Sequence, residues 1–388
     1  MSRFYSYLNT ATSLISQFDG SVPLAIFLKH FFSREKKFGS KDRKQISALM
    51  YNYYRVANAI VGSSIQDKVL IAIFICENSP SEILALFIPE YNLNISKSFN
   101  EKLELVGDKI DLSKIFPFEN ELSTVINKDK FRQSLLVQPN LFLRLRPGRK
   151  EKTLKLLTEN QINFEEIRPN TICLKNGIKV PDTILIDKDY VVQDSSSQKI
   201  GELFAPFLVQ MQKELNVWDC CAASGGKSIM LYDQNLKLKL YVSDIRSSIL
   251  INLEERFKAA EIKNYTKFVA DLTEKKLTLP LNKFDVIIAD VPCTGSGTWS
   301  RTPEQMYFFN SNQLNNFALR QKEIAINSLQ YLAQNGLLIY ITCSVFSKEN
   351  EEIVSILKDK NMELLLQETV QGYEDKADTL FVAILRKK

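Results

Sequence analysis

The sequence predicts a multidomain chain: a helical domain over 1–112, a small α+β module over 113–197, and an α/β domain over 198–388 with a seven-stranded sheet. Three observations lead there. After residue 198, seven short apolar runs are mostly separated by helical patterns, the mark of a doubly wound, mainly parallel sheet. Over the first 112 residues glycine is rare and apolar residues fall at helical spacing. Between the two, Pro139, Pro147 and Pro181 punctuate shorter runs. A length of 388 residues suits two or three domains.

In the first segment Ala11, Leu14, Ile15 and Phe18 share one helical face, as do Ile46, Leu49, Met50 and Tyr53. Ser40-Lys41-Asp42 offers an N-cap to the second of these. The middle segment reads as a strand at 141–145, a helix at 152–160, and strands at 171–174 and 183–186. In the last, strands are expected at 216–220, 240–243, 266–270, 285–289, 337–341, 362–366 and 380–385. Ligands of such sheets sit outside the carboxyl ends of the strands, at the switch point, so the chemistry is expected just after these runs.

Composition excludes several classes. Apolar residues make up 45% and charged residues 24%, enough apolar material to offset the entropy of ordering a globular chain. The longest apolar run, 69–76, is far short of the about 20 residues a membrane span needs. Residues 1–10 hold no signal-peptide core, so a soluble, cytoplasmic protein is expected. His30 is the single histidine, which excludes a multi-His metal site within the chain and a catalytic histidine elsewhere. Six cysteines include no C-x-x-C pair, so no metal is expected. With no heptad run, a monomer is expected.

Charge is uneven. Residues 1–60 carry nine basic residues against Asp19, Glu35 and Asp42. A second basic cluster is Arg144, Arg146, Arg149, Lys150, Lys152 and Lys155, with Glu151 the lone acid among them. Such clusters suit a phosphate backbone and equally a solvated helix face.

Five motifs stand at the predicted strand ends. Val217-Trp218-Asp219-Cys220-Cys221-Ala222-Ala223-Ser224-Gly225-Gly226-Lys227-Ser228 is a strand, a small-residue turn and a helix start. Its glycines let backbone approach a ligand closely, and the helix start offers N–H groups to an anion. Asp244 follows 241–243 and suits ribose hydroxyls, or a helix N-cap. Asp271 follows 268–270 and could accept from an adenine amino group. Phe284 to Thr298 delivers Asp290 and Cys293 to a glycine-rich loop. Leu338 to Ser344 delivers Cys343 to the same edge, before Ser347-Lys348-Glu349-Asn350-Glu351-Glu352. A lone cysteine is usually inert; two at adjacent strand ends, beside an aspartate, point to chemistry.

These motifs resemble the RNA cytosine-5 methyltransferases of the Sun/RsmB family. Cys221-Ala222-Ala223-Ser224-Gly225-Gly226-Lys227 is similar to the family's CAAPGGK, Asp290-Val291-Pro292-Cys293-Thr294-Gly295-Ser296-Gly297 to its DAPCSGxG, and Thr342-Cys343-Ser344 with Glu349-Asn350-Glu351 to its TCS…ENE. Gln193-Asp194-Ser195-Ser196-Ser197-Gln198 resembles the segment before the first strand. Asp42-Arg43 with Leu49-Met50-Tyr51-Asn52-Tyr53-Tyr54-Arg55 resembles the family's NusB-like RNA-binding domain. Three positions depart: Ser224 stands where the family has proline, Asp378-Thr379-Leu380-Phe381 lacks the usual glycine, and Arg144-Leu145-Arg146-Pro147 replaces Arg-Val-Asn.

The resemblance implies a Rossmann-like domain that transfers methyl from S-adenosylmethionine to carbon 5 of cytosine, in 16S ribosomal RNA. It assigns the nucleophile to Cys343, the release step to Cys293 and the base contact near N3, as a neutral acid, to Asp290. Lys227 joins the catalytic set; whether Lys227 or Lys348 lowers the Cys343 pKa stays open. Cys221, Ala222, Ala223, Ser224, Gly225, Gly226, Lys227, Asp244, Asp271 and Asp290 would hold the cofactor. A tRNA substrate, or a non-catalytic RNA-binding assembly factor that keeps the fold, are the alternatives.

Overall fold

The structure is a computed structural model that describes residues 3–234, 236–274 and 276–388. It forms two compact units. One holds the chain up to Asn120 with Asn127–Gln138 and Thr298–Ser311; the other holds Glu121–Ile126, Pro139–Gly297 and Asn312–Lys388.

The first unit is helical: α1 (Arg3–Gln17), α2 (Leu24–Arg34), α3 (Ser40–Val56), α4 (Ile65–Cys76), α5 (Glu82–Phe87), α6 (Pro89–Leu93), α7 (Phe99–Val106) and α8 (Lys128–Ser134). The spacing noted in the sequence is its core: Ala11, Leu14, Ile46, Leu49 and Met50 are buried there, with Val69 to Ile75 of α4. The start of α3 differs from expectation. Gly39, not Ser40, is the N-cap, and Asp42 in the first turn accepts from the Gly39 N–H at 2.7 Å. A carboxylate there satisfies an orphan donor and complements the helix dipole.

The second unit holds two sheets. The smaller is antiparallel, in the order β2 (Glu165–Arg168), β3 (Thr171–Leu174), β1 (Leu141–Leu145), β4 (Tyr190–Val192), with α9 (Lys150–Glu159) following β1. The strand expected at 183–186 is absent. The Asp189 carboxylate accepts from the Leu185 N–H at 2.9 Å, and the Asp189 N–H donates to the Leu185 carbonyl at 2.8 Å. Those bonds close a turn, and pairing with β1 begins only at Tyr190.

After α10 (Ser195–Val209) come β5 (Leu215–Asp219), α11 (Gly226–Tyr232), β6 (Leu238–Asp244), α12 (Ser247–Ala259), β7 (Tyr265–Val269) and β8 (Phe284–Asp290). Helix α13 (Pro303–Phe308) lies in the first unit. Then follow α14 (Asn312–Leu329), β9 (Leu332–Thr342), α15 (Glu351–Lys358), β10 (Met362–Gln371) and β11 (Thr379–Lys387). The seven strands run in the order β10-β11-β9-β8-β5-β6-β7. Those from β9 to β7 are parallel; β11 is antiparallel to both β9 and β10. Val217, Val286, Ile288 and Ile339 join one core layer, Trp218, Ile287, Leu338 and Tyr340 the other. Helices cover both faces, so the strands read as continuous apolar runs. The strand order reverses between β5 and β8, which puts the switch point at the ends of the two strands that lead into Cys221 and Cys293.

The second basic cluster is largely spent inside this unit. Arg144 Nη1 donates to Asp233 Oδ2 at 2.6 Å and Arg146 Nη2 to Oδ1 at 2.7 Å, with all three side chains nearly buried. Lys152 pairs with Asp189, and Lys150 with Glu166. These side chains are ion-pair partners, not a free phosphate-binding face. Removing the charge in Asp233→Asn leaves two guanidinium groups facing a neutral amide. It is expected to lower unfolding stability by about 3–5 kcal/mol; urea denaturation of variant and parent reads the difference.

Candidate active site

The turn after β5 is built by small residues for a local reason. Ala223 and Gly225 take positive φ, 47° and 83°. A Cβ on Gly225 would also lie 2.6 Å from the Phe257 ring, so glycine is required there twice over. The Ala222 N–H donates to the Ser243 carbonyl at 2.9 Å, which ties the turn to β6.

Lys227, in the first turn of α11, reaches across to β8 and donates to Asp290 Oδ2 at 3.0 Å. Burial works against its ammonium, but Asp290 outweighs it and holds the Lys227 pKa above the usual lysine value; the Cys343 sulfur adds in the same direction. Lys348 instead pairs with Glu121 at 3.4 Å. Asp290 stands as half of an ion pair, whereas the resemblance implies a neutral acid.

Cys293 and Cys343 meet with their sulfurs 3.2 Å apart. The Cys293 thiol is pushed well up, first by its hydrogen bond with Cys343 and then by burial. The loops carrying them are tied together by Glu349, which is fully buried. Glu349 Oε1 accepts from the Thr294 N–H at 2.9 Å and from Gln321 Nε2 at 2.7 Å. Its Oε2 accepts from the Thr294 hydroxyl at 2.5 Å and from the Ser344 hydroxyl. Gln321, on α14, also donates to the Pro292 carbonyl at 2.9 Å. The Gly297 N–H donates to the Cys343 carbonyl at 2.9 Å, and a Cβ on Gly297 would lie 2.0 Å from the Thr379 carbonyl oxygen.

These elements border a cleft of about 490 Å³ lined in part by Cys221, Ala223, Asp244, Asp271, Asp290, Cys293 and Cys343. Of the other expected residues, Ala222, Ser224, Gly225, Gly226 and Lys227 are not part of the lining. Asp244 is buried and accepts from the Ala223 N–H at 3.1 Å and from Arg246 Nε at 3.0 Å. Burial raises its pKa, but the bonds from Arg246 overcome that and hold it below the ordinary aspartate value. Asp271 Oδ1 accepts from the Thr273 hydroxyl and N–H, which lower its pKa. Sequence reasoning missed Arg246 and Arg320, which also line the cleft, Gln321, and the bracing role of Glu349. Arg320 and Gln321 lie on a helix distant in sequence, with no short motif to mark them.

Residues 206–382 match the family model of 16S rRNA methyltransferase RsmB/F. That match covers somewhat less than half of the chain, and over it the chain is similar to the RsmB/F methyltransferases. A curated relative from Proteus mirabilis, "Ribosomal RNA small subunit methyltransferase B", is 28% identical over 62% of this chain. The match takes in 56% of that relative, so the chain spans little more than half of its length. Among solved structures, the protein PH0851 superposes with a TM-score of 0.71 at 18% identity, over 97% of both chains. NSun6 from Pyrococcus horikoshii, solved with SFG, superposes with a TM-score of 0.56 at 16% identity, over 67% of this chain and 94% of its own. At those identities the likeness is one of fold.

The cleft suits S-adenosylmethionine. Asp244 and Asp271 are acceptors set for hydroxyl and amino donors, and Ile245, Ala270, Leu272 and Val291 supply apolar walls for a ring. The match to the methyltransferase model and this fit together make S-adenosylmethionine the cofactor. Asp219 lies outside this lining. It is fully buried and accepts from the Ser228 hydroxyl at 2.6 Å, and burial pushes its pKa up to about 7. Its folded pKa thus exceeds that of the unfolded chain, so its stabilising effect is full below about pH 4 and lost as pH rises through about 7. Asp219→Asn, which mimics the neutral acid, is expected to match the parent in stability near pH 4 and to exceed it progressively toward pH 7; thermal melts across that range read the divergence.

Proposed function

We propose that this protein methylates carbon 5 of a cytosine in 16S ribosomal RNA through a covalent Cys343 adduct at carbon 6. The observation that carries the reading is the meeting of two cysteine sulfurs, 3.2 Å apart, beside the Lys227–Asp290 pair at one cleft. The name of the Proteus mirabilis relative supports the ribosomal substrate. So does a set of basic side chains in the helical unit: Lys29, Arg34, Lys36, Lys41 and Lys44 are exposed, as a phosphate backbone requires.

Carbon 5 of cytosine is a poor nucleophile. Addition of the Cys343 thiolate to carbon 6 makes the ring an enamine, and the hard transfer divides into easier steps. Lys227 favours that thiolate by its charge. Asp290 meets the base near N3 and passes to it the proton that leaves the Cys343 thiol, while the Lys227 ammonium balances the negative charge that develops on addition. Bound S-adenosylmethionine supplies the methyl group to carbon 5. Cys293, its own proton first lost to solvent, then takes the carbon-5 proton; the carbon 6–sulfur bond breaks to return the Cys343 thiolate, and the proton at N3 goes back to it through Asp290. The target base must be unstacked to enter, which favours a loop or an opened helix.

The test is transfer of labelled methyl to unmodified 16S ribosomal RNA and to tRNA. Label in ribosomal RNA, lost in Cys343→Ala, is expected, with a protein–RNA adduct accumulating in Cys293→Ala. Label in tRNA alone would transfer the substrate assignment. RNA binding without label in either would favour a non-catalytic assembly factor, and full activity in Cys343→Ala would sink the nucleophile.

A further inference from the structure

We infer that Arg256 is the positioning residue of the cofactor turn, and that with Asp187 it restrains the turn in place of the proline that Ser224 replaces. The inference rests on the cofactor reading of the cleft. Leu253, Arg256 and Phe257 lie at i, i+3 and i+4 on α12 and face the turn together. A Cβ on Gly225 would meet Phe257 and Leu253 at 2.6 and 3.1 Å. Beside them, Arg256 Nη1 donates to both the carbonyl and the hydroxyl of Ser224, each at 3.0 Å.

The rest of that guanidinium is anchored. Nε donates to Asp187 Oδ2 at 3.0 Å and Nη2 to Oδ1 at 2.8 Å, a two-pronged grip on one carboxylate. Asp187 is itself fixed. Its side chain is nearly buried, its N–H donates to the Tyr190 carbonyl at 2.7 Å, and its carbonyl accepts from Arg146 Nη1 at 3.0 Å. The planar fork thus links the cofactor turn to the start of β4. A lysine has a point charge and no fork, and cannot hold both ends.

A proline would restrain the turn by fixing its own φ and reducing the freedom lost on ordering. A serine does neither, and an unrestrained turn would have to be ordered by the ligand at a cost in affinity. The Ser224 carbonyl and hydroxyl, both held by Arg256, supply the restraint from outside the turn. Ser224 and Arg256 are therefore a matched pair: the hydroxyl that replaces the pyrrolidine ring is also what the guanidinium grips.

The experiment is titration calorimetry of S-adenosylhomocysteine into the full chain. Arg256→Ala is expected to weaken binding about tenfold, and Arg256→Lys to behave alike. Adding Ser224→Pro to Arg256→Ala is expected to recover most of the affinity without restoring any ion pair, which a purely structural role for Arg256 does not predict. Asp187→Asn keeps the arginine and loosens its anchor; it is expected to weaken binding several-fold and keeps the test open if Arg256→Ala does not fold. Affinity within twofold of the parent in Arg256→Ala, or in Asp187→Asn where the alanine variant does not fold, overturns the inference. So does failure of the proline to restore binding. Absence of binding in the unaltered chain overturns the cofactor reading and this inference with it.

Discussion

The buried carboxylate of Glu349 is the constraint on which the candidate chemistry rests. Its two oxygens take four hydrogen bonds, from Thr294 just after Cys293, from Ser344 just after Cys343, and from Gln321 on α14. The cysteines are 50 residues apart in the chain, and β8 and β9 bring them only to one edge of the sheet. The last few ångströms depend on this carboxylate. A group out of water must have its acceptor positions filled or it destabilises the fold; here that requirement and the sulfur spacing are met by the same bonds.

Much of the large sheet was legible because it is buried on both faces. Its strands are runs such as Val286 to Ala289 and Leu337 to Ile341, in which every residue is apolar and the period of two is hidden. Such runs stand out from loops, and each expected strand appears within a few residues of its place. The run at 183–186 misled because its isoleucines suit a strand equally well. What decides there is Asp189, three residues beyond, whose carboxylate closes a turn on Leu185. Local apolar pattern does not report a hydrogen bond made by a later side chain.

At the candidate site the legible part was what a short motif carries: the turn after β5, the two cysteines, and the aspartates beyond the strands. Asp219 shows the limit. Like Asp244 and Asp271 it stands at or just past the end of a strand, yet it is buried with Ser228, while Asp244 and Asp271 line the cleft. Burial is a property of packing around a residue, and no residue type announces it. The basic cluster around Arg144 makes the same point with charge. In sequence it looks free, because Asp233, which takes up Arg144 and Arg146, is some ninety residues away.

The space beneath Gly297 bears on how this site can change over generations. The backbone there passes so close to the Thr379 carbonyl that no side chain fits at position 297. Thr379, by contrast, lends the contact only its main chain; its own hydroxyl is buried without a hydrogen-bond partner among the described residues. The two positions therefore have unequal freedom to mutate. Position 379 can exchange its side chain and leave the contact standing, whereas any single-residue replacement at 297 has first to push two backbones apart. New shapes for the Cys293 loop are reached more readily by a gain or loss of residues farther along the loop than by point substitution at its glycine.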